Sequence, residues 1–221
     1  MRVDVWSDIV CPWCYVGKRR FESALAAFAA GDAVEVVHHS FQLDPFAPRD
    51  RTSSRRERLM KKYALTPAQM DAMDARMTQL AAEEGLDYHL EGTVSGNTRD
   101  AHQLVHLAQE HGVQDAMLER LYRAYFTEQR SVFDPDSLVG LAQDVGLDRD
   151  DARGALREGR YDPAVDEDID LARRIGITGV PFFVIDGKYG VSGAQQPPVF
   201  LEALSKAADS PVGVEDNPSS R

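Results

Sequence analysis

Cys11 and Cys14 are the only cysteines in a chain of 221 residues, with Pro12 and Trp13 between them. A disulfide joining them would close a tiny loop and remove little entropy from the unfolded chain, so stability is a poor reason for the pair. Reactivity is the better reason. Pro12 suits the first turn of a helix, where its missing N–H is not needed. The first N–H groups of that helix are unsatisfied and its dipole is positive there, so a thiolate on Cys11 is favoured. Cys14, one turn further on, is placed to attack a mixed disulfide on Cys11 and release the partner. Exchange of this kind needs one exposed, reactive thiol and one sheltered resolving thiol. Half of a zinc site is the rival reading. It lacks a second cysteine pair, and His38-His39 would contribute only by coincidence of the fold.

A second feature is Gly179-Val180-Pro181-Phe182-Phe183, where a proline opens a strand and so removes no ladder donor. Taken alone, Val180–Pro181 would be trans, since only about 5–6% of X–Pro bonds in folded proteins are cis. His102 and His106 stand four apart, as two metal ligands would, but no Glu follows His102, so an ordinary histidine pair is the simpler reading. Met70, Met73, Met77 and Leu80 form an apolar stripe that reads as core, with an adaptable substrate groove as the alternative. The acidic run Asp166, Glu167, Asp168 and Asp170 reads as the solvated face of a helix start. The basic stretch Arg55-Arg56 and Arg58 to Lys62 reads as another solvated face.

The elements around these residues alternate in type. Residues 2–7 read as a strand with Trp6 in its core. Phe21, Leu25 and Phe28 recur at helical spacing up to Gly31, and Val34 to Leu43 reads as a second strand. Thr66-Pro67-Ala68-Gln69 is a capping box for a helix that Gly85 stops. Helices follow at 100–111, 115–127, 135–145, 149–157 and 162–176. Strand character returns at 181–185, Asp186-Gly187 signals a two-residue hairpin, and 189–191 is the return strand. A helix over 197–207 is last. The pattern is β–α–β, a helical block, then β–β–α, an α/β class.

Composition narrows the partners. With 43% hydrophobic and 28% charged residues the chain is an ordinary globular one, and its net charge of −11 opposes phosphate-backbone partners. No run of 18 apolar residues crosses a membrane. The opening Met1-Arg2-Val3-Asp4-Val5-Trp6 alternates like a strand and lacks the zones of a signal peptide, so a cytoplasmic, reducing location is expected.

Together, Cys11-Pro12-Trp13-Cys14 after a first strand and Val180-Pro181-Phe182-Phe183 before a hairpin and last helix resemble the DsbA-type thioredoxin superfamily. Asp8 to Cys14, Asn97-Thr98 to His102 and Gly176 to Gly193 resemble its FrnE-like branch. The resemblance implies a thioredoxin fold over 1–50 and 177–208, a helical insertion over 51–176, and a disordered tail over 209–221. It implies a thiol–disulfide oxidoreductase in which Cys11 is nucleophile, Cys14 resolves, and a cis Pro181 faces both, supported by Pro12, Trp13 and Val180. Asn97, Thr98 and His102 would border the substrate site, with Asn97 or Thr98 as a plain helix cap the other reading. Protein or peptide thiols would be the partners, with glutathione a candidate redox partner and no bound cofactor or metal. DsbA itself carries Pro-His between its cysteines; here Trp13 removes the imidazolium and its oxidising push. A glutathione-dependent transferase or isomerase of the kappa or chromene-carboxylate type shares the fold, but typically has serine where Cys11 stands. A non-catalytic redox sensor or holdase is the third reading.

Overall fold

The structure is a computed structural model that describes residues 1–209. Its first strand, β1 (Arg2–Ser7), pairs parallel with β2 (Glu35–Ser40) and antiparallel with β5 (Phe182–Ile185), which pairs with β6 (Tyr189–Ser192). The sheet order is β2-β1-β5-β6. Alternation along β1 sends Val3 and Val5 to one face, where they meet Phe21, Phe183 and Phe200. Trp6 goes to the other, against Ala172 and Ile177. Helices α1 (Pro12–Ala27) and α9 (Pro197–Asp209) cover the first face.

Between β2 and β5 the chain builds α2 (Arg55–Tyr63), α3 (Pro67–Glu83), α4 (Arg99–Glu110), α5 (Gln114–Phe126), α6 (Pro135–Asp144), α7 (Arg149–Glu158) and α8 (Asp162–Arg174). This is the thioredoxin fold with its helical insertion. Thr66 and Gln69 form the capping box at the start of α3, and Gly85 follows its end at φ 73°. Two short strands that the sequence pattern did not signal, β3 (Ser53–Ser54) and β4 (Val94–Ser95), pair antiparallel inside the insertion.

Helix α1 joins both halves. Phe21 and Ala24 face the sheet, while Cys14, Tyr15 and Val16 belong to the core of the helical block. The Tyr15 ring stacks on Tyr122 of α5 at 4.9 Å between centroids, and aromatic pairs of this kind add to the burial of their area.

Several boundaries differ from the expectations. Helix α1 ends at Ala27, because Phe28 is extended at φ −82° and ψ 126°. Gly31 opens a short 3₁₀ turn instead, where a Cβ would stand 2.3 Å from the Leu25 carbonyl oxygen. The second strand stops at Ser40, since Leu43 turns its N–H to the Asp8 carboxylate (2.8 Å) rather than to a strand. The β5–β6 loop has three residues, not two. Asp186 and Gly187 take positive φ, and Lys188 closes on Ile185 O at 3.0 Å without a cross-strand partner, as Ile185 pairs with Tyr189. The expected disordered tail lies outside the described residues from 210 on; Asp209 still belongs to α9.

The acidic run on α8 is not wholly solvated. Asp168 is 8% exposed and turned toward β2. Its carboxylate accepts from Ser40 N (2.7 Å) and meets His39 Nδ1 (2.5 Å) and His106 Nε2 (3.1 Å). Its carbonyl accepts from Trp6 Nε1 at 3.1 Å. Burial alone would raise the Asp168 carboxyl, but the bonds from His106 and His39 hold it well below the usual range. The i,i+4 histidines divide accordingly: His106 joins Asp168, and His102 turns to Asp8.

Candidate active site

The turn before α1 is set by backbone bonds. Cys11 N–H reaches Asp8 O at 3.1 Å and Cys14 N–H reaches Cys11 O at 3.0 Å. Cys11 is the N-cap at φ −86° and ψ 110°, with Pro12 at the first helical position. The Pro12 carbonyl accepts from Tyr88 Oη at 2.8 Å. Both cysteines are thiols. The Cys11 thiol donates to Val180 O at 3.6 Å, and the Val180–Pro181 bond is cis. Pro181 packs so closely on α1 that a Cβ at Gly17 would stand 2.8 Å from Pro181 Cγ and 3.4 Å from Ala194 Cβ.

The expected contrast of an exposed and a sheltered thiol takes a different form. Cys11 is 4% exposed and Cys14 2%. Trp13, at 43%, holds the outward position of the turn. What separates the thiols is the cavity each one lines. Cys11 lies on the floor of a cleft of about 340 Å³, together with Val10, Pro12, Trp13 and Val180. Cys14 does not line that cleft. Burial pushes the Cys14 thiol well up, and the Cys11 sulfur and the Asp8 charge push the same way, against one backbone bond from Asp8. The Cys14 thiol therefore favours its protonated form.

The walls of the cleft come from the insertion. Helix α2 supplies Arg55, Arg58, Leu59, Lys62 and Tyr63, and α3 supplies Met73, Arg76, Met77 and Leu80. The basic stretch on α2 is thus not simply a solvated face. Arg55 is buried, with a two-pronged bond to Asp74 (2.9 and 3.2 Å), and Arg58 pairs with Asp44. Lys62 sits over the Tyr63 ring at 5.5 Å. The methionine stripe splits: Met70 is fully buried core, whereas Met73 and Met77 line the cleft. Pattern alone could not reveal α2 as a cleft wall; a clue was the apolar Leu59 and Tyr63 interleaved with its cations. A larger, shallower depression of about 1130 Å³ lies over Asp71, His89 and Gln129 and contains neither cysteine.

Asn97, Thr98 and His102 do not line this cleft. Asn97 ties two loops, accepting from Gln42 Nε2 (2.8 Å) and Arg99 N (2.9 Å) and donating to Ala47 O (2.7 Å). Thr98 is the residue before α4 and makes no side-chain capping bond there. His102 is buried, with Nε2 at 3.0 Å from Phe41 O and 3.4 Å from Asp8 Oδ1. Among the described residues no group of three or more His, Cys, Asp or Glu is arranged to hold a metal ion.

The DSBA-like thioredoxin domain matches residues 2–205. The chain belongs to that family. It is 45% identical to a probable DsbA oxidoreductase from Streptomyces coelicolor, covering 99% of this chain and 97% of that one, with a TM-score of 0.94. It is 29% identical over 209 residues to an uncharacterized protein, YwbO, of Bacillus subtilis, covering 93% of this chain and 96% of that one. The cytosolic disulfide reductase DsbM from Pseudomonas aeruginosa, solved with GSH, shares the fold at 19% identity and a TM-score of 0.66, over 94% and 99% of the two chains. A 2-hydroxychromene-2-carboxylate isomerase shares it at 16% and 0.70, over 94% and 96%.

Proposed function

We propose that this DsbA-like family member is a thiol–disulfide oxidoreductase acting on peptide-sized disulfides, glutathione disulfide among them, through Cys11-Pro12-Trp13-Cys14. The carrying observation is that Cys11 lines the cleft floor at a helix N-terminus while Cys14 lies behind it. The Cys11 thiolate attacks one sulfur of the substrate disulfide, and the other leaves as a thiolate. Cys14 then attacks Cys11, the mixed disulfide breaks, and the second substrate thiolate departs. The substrate gains two electrons and the Cys11–Cys14 pair becomes a disulfide; the reverse sequence oxidises a dithiol. Val180, its carbonyl already facing Cys11, offers main-chain pairing to an extended substrate, with Pro181 and Trp13 flanking the sulfur.

Beyond the Arg55–Asp74 and Arg58–Asp44 pairs, Lys62 and Arg76 bring cations to the cleft wall that make no ion pair among the described residues. That cationic rim favours substrates carrying carboxylates. Asn97, Thr98 and His102 are assigned to holding the loops that frame the site. The reaction needs no bound cofactor, and a reducing cytoplasm suits it. No described helix is long and apolar enough to cross a membrane.

Reduction of insulin and of glutathione disulfide tests the reading, using wild type and Cys11→Ser. Turnover of either substrate by wild type and none by the variant is expected. Glutathione conjugation that survives Cys11→Ser would favour a transferase, and client binding without any exchange would favour a holdase.

A further inference from the structure

Resolution by Cys14 poses a problem that the cleft does not solve. Cys14 must lose its proton while the cleft is filled by substrate bound to Cys11, and burial keeps that proton on. Cys14, which does not line the cleft, lines instead a small cavity of about 10 Å³ with Ser7, Lys18, His38, Tyr122 and apolar side chains. This is room for a single water. Five buried side-chain polar atoms make no hydrogen bond among the described residues, and two of them, Tyr122 Oη and His38 Nδ1, belong to residues lining this one cavity. Tyr122 is 1% exposed and His38 6%. Unpaired buried polar atoms are costly, so a water at this cavity would serve both, with the Ser7 side chain the other polar group beside Tyr122.

His38 leads outward. Its Nε2 lies 3.2 Å from Asp115 Oδ1, and the Asp115 side chain is 65% exposed. A carboxylate only accepts, so Nε2 carries a proton, and in the neutral ring Nδ1 is left as the acceptor. Gln114 fixes the strand behind the ring, donating to His38 O at 2.9 Å and accepting from His38 N at 3.1 Å. Lys18 Nζ closes on the same Asp115 at 3.0 Å.

We propose that Tyr122, His38 and one bridging water form a rear proton relay for Cys14, an inference that rests on Cys14 being the resolving thiol. The Cys14 S–H proton passes through the water, oriented by Tyr122 Oη, to His38 Nδ1. The Nε2 proton of His38 leaves through Asp115 to solvent. The Cys14 thiolate so formed attacks Cys11, whose bond to the substrate sulfur breaks. The groups facing Cys14 are Cys11, Asp8 and Tyr122; those facing His38 are Asp115 and Lys18. Asp8 is the competing acceptor, with its carboxylate on Leu43 N and His102.

The test uses 5,5′-dithiobis(2-nitrobenzoate) and stopped flow. Attack by Cys11 releases one thionitrobenzoate, and resolution by Cys14 releases the second. In His38→Gln, whose amide can keep the Asp115 bond, the second release should slow at least about tenfold, and the first should stay within about twofold. Its pH profile should also move to higher pH. Tyr122→Phe, which keeps the ring packing, should slow the second release selectively as well. The relay is wrong if both variants leave the second release unchanged, if both phases slow together, or if only Asp8→Asn slows the second. A wild type that never gives a second release would overturn the disulfide-exchange reading along with the relay.

Discussion

Tyr88, in the loop between α3 and α4, donates its hydroxyl to the carbonyl of Pro12 at 2.8 Å. The helical insertion therefore holds the turn that carries both thiols. Tyr88→Phe removes the donor and strands a carbonyl beneath the active turn. We expect a loss of about 1–2 kcal/mol, seen as a fall in Tm of about 2–8 °C for a domain of this size. The first thionitrobenzoate release should slow with it; an unchanged melt and rate would show that the turn holds itself.

Exchange of the two cysteines separates their roles. Cys11→Ser should abolish disulfide exchange. Cys14→Ser should still attack, then accumulate mixed disulfides visible as adducts by mass spectrometry under non-reducing conditions. Normal insulin turnover by Cys14→Ser, with activity also in Cys11→Ser, would refute the assignment.

Trp13 bears on redox poise. It carries no charge, so the stabilisation that a histidinium would lend a thiolate is missing. The expected potential lies between those of thioredoxin and DsbA, about −270 and −120 mV. Equilibration against glutathione buffers measures it, with Trp13 fluorescence as the readout in wild type and thiol alkylation followed by mass spectrometry in both wild type and Trp13→His. Trp13→His should move the value upward; a downward shift would defeat the charge argument.

The cationic rim should act on binding more than on chemistry. Lys62→Glu or Arg76→Glu should raise the KM for glutathione disulfide about threefold to tenfold, with kcat nearly constant. Salt should weaken the wild type in the same way. Equal KM values for acidic and neutral disulfide peptides would argue that the rim plays no part in selection.

Asp168 should govern stability on the acid side. Its carboxyl is held low in the fold, so its contribution is present above the ordinary carboxylate pKa of about 4 and fades as pH falls further. His39 behaves oppositely. Burial opposes its charge, but Asp168 and Asp4 override that and raise it. Its contribution is full below about 6.5 and fades as pH rises through the raised value. Asp168→Ala should lose about 3 kcal/mol near neutrality and flatten the acid limb of a denaturant-midpoint profile. An acid limb identical to wild type would place the pH sensitivity elsewhere.

The family and its fold were legible in the sequence because Cys11, Cys14 and Pro181 stand out by type and spacing. Long helices were legible by their caps, as at Thr66 and Gly85. Burial of charge was not. Arg55 and Asp168 look like members of solvated runs, and only partners distant in sequence, Asp74 for one and His39 for the other, take them inside. The two-residue ladder of β3 and β4 is too short to leave a period. Likewise nothing in the order of residues brings Tyr122 and His38 to the back of Cys14; that is a product of how α5 packs on β2.

Gly17 presents only a hydrogen where α1 passes beneath Pro181. Cys11 and the carbonyl facing it lie 169 residues apart in the chain, and the spacing between them is gauged at this crossing. A single methyl group here would act as a shim, lifting the proline loop and opening the narrow gap between Cys11 and Val180. Selection could therefore tune how tightly the site grips a peptide without altering any group that touches it.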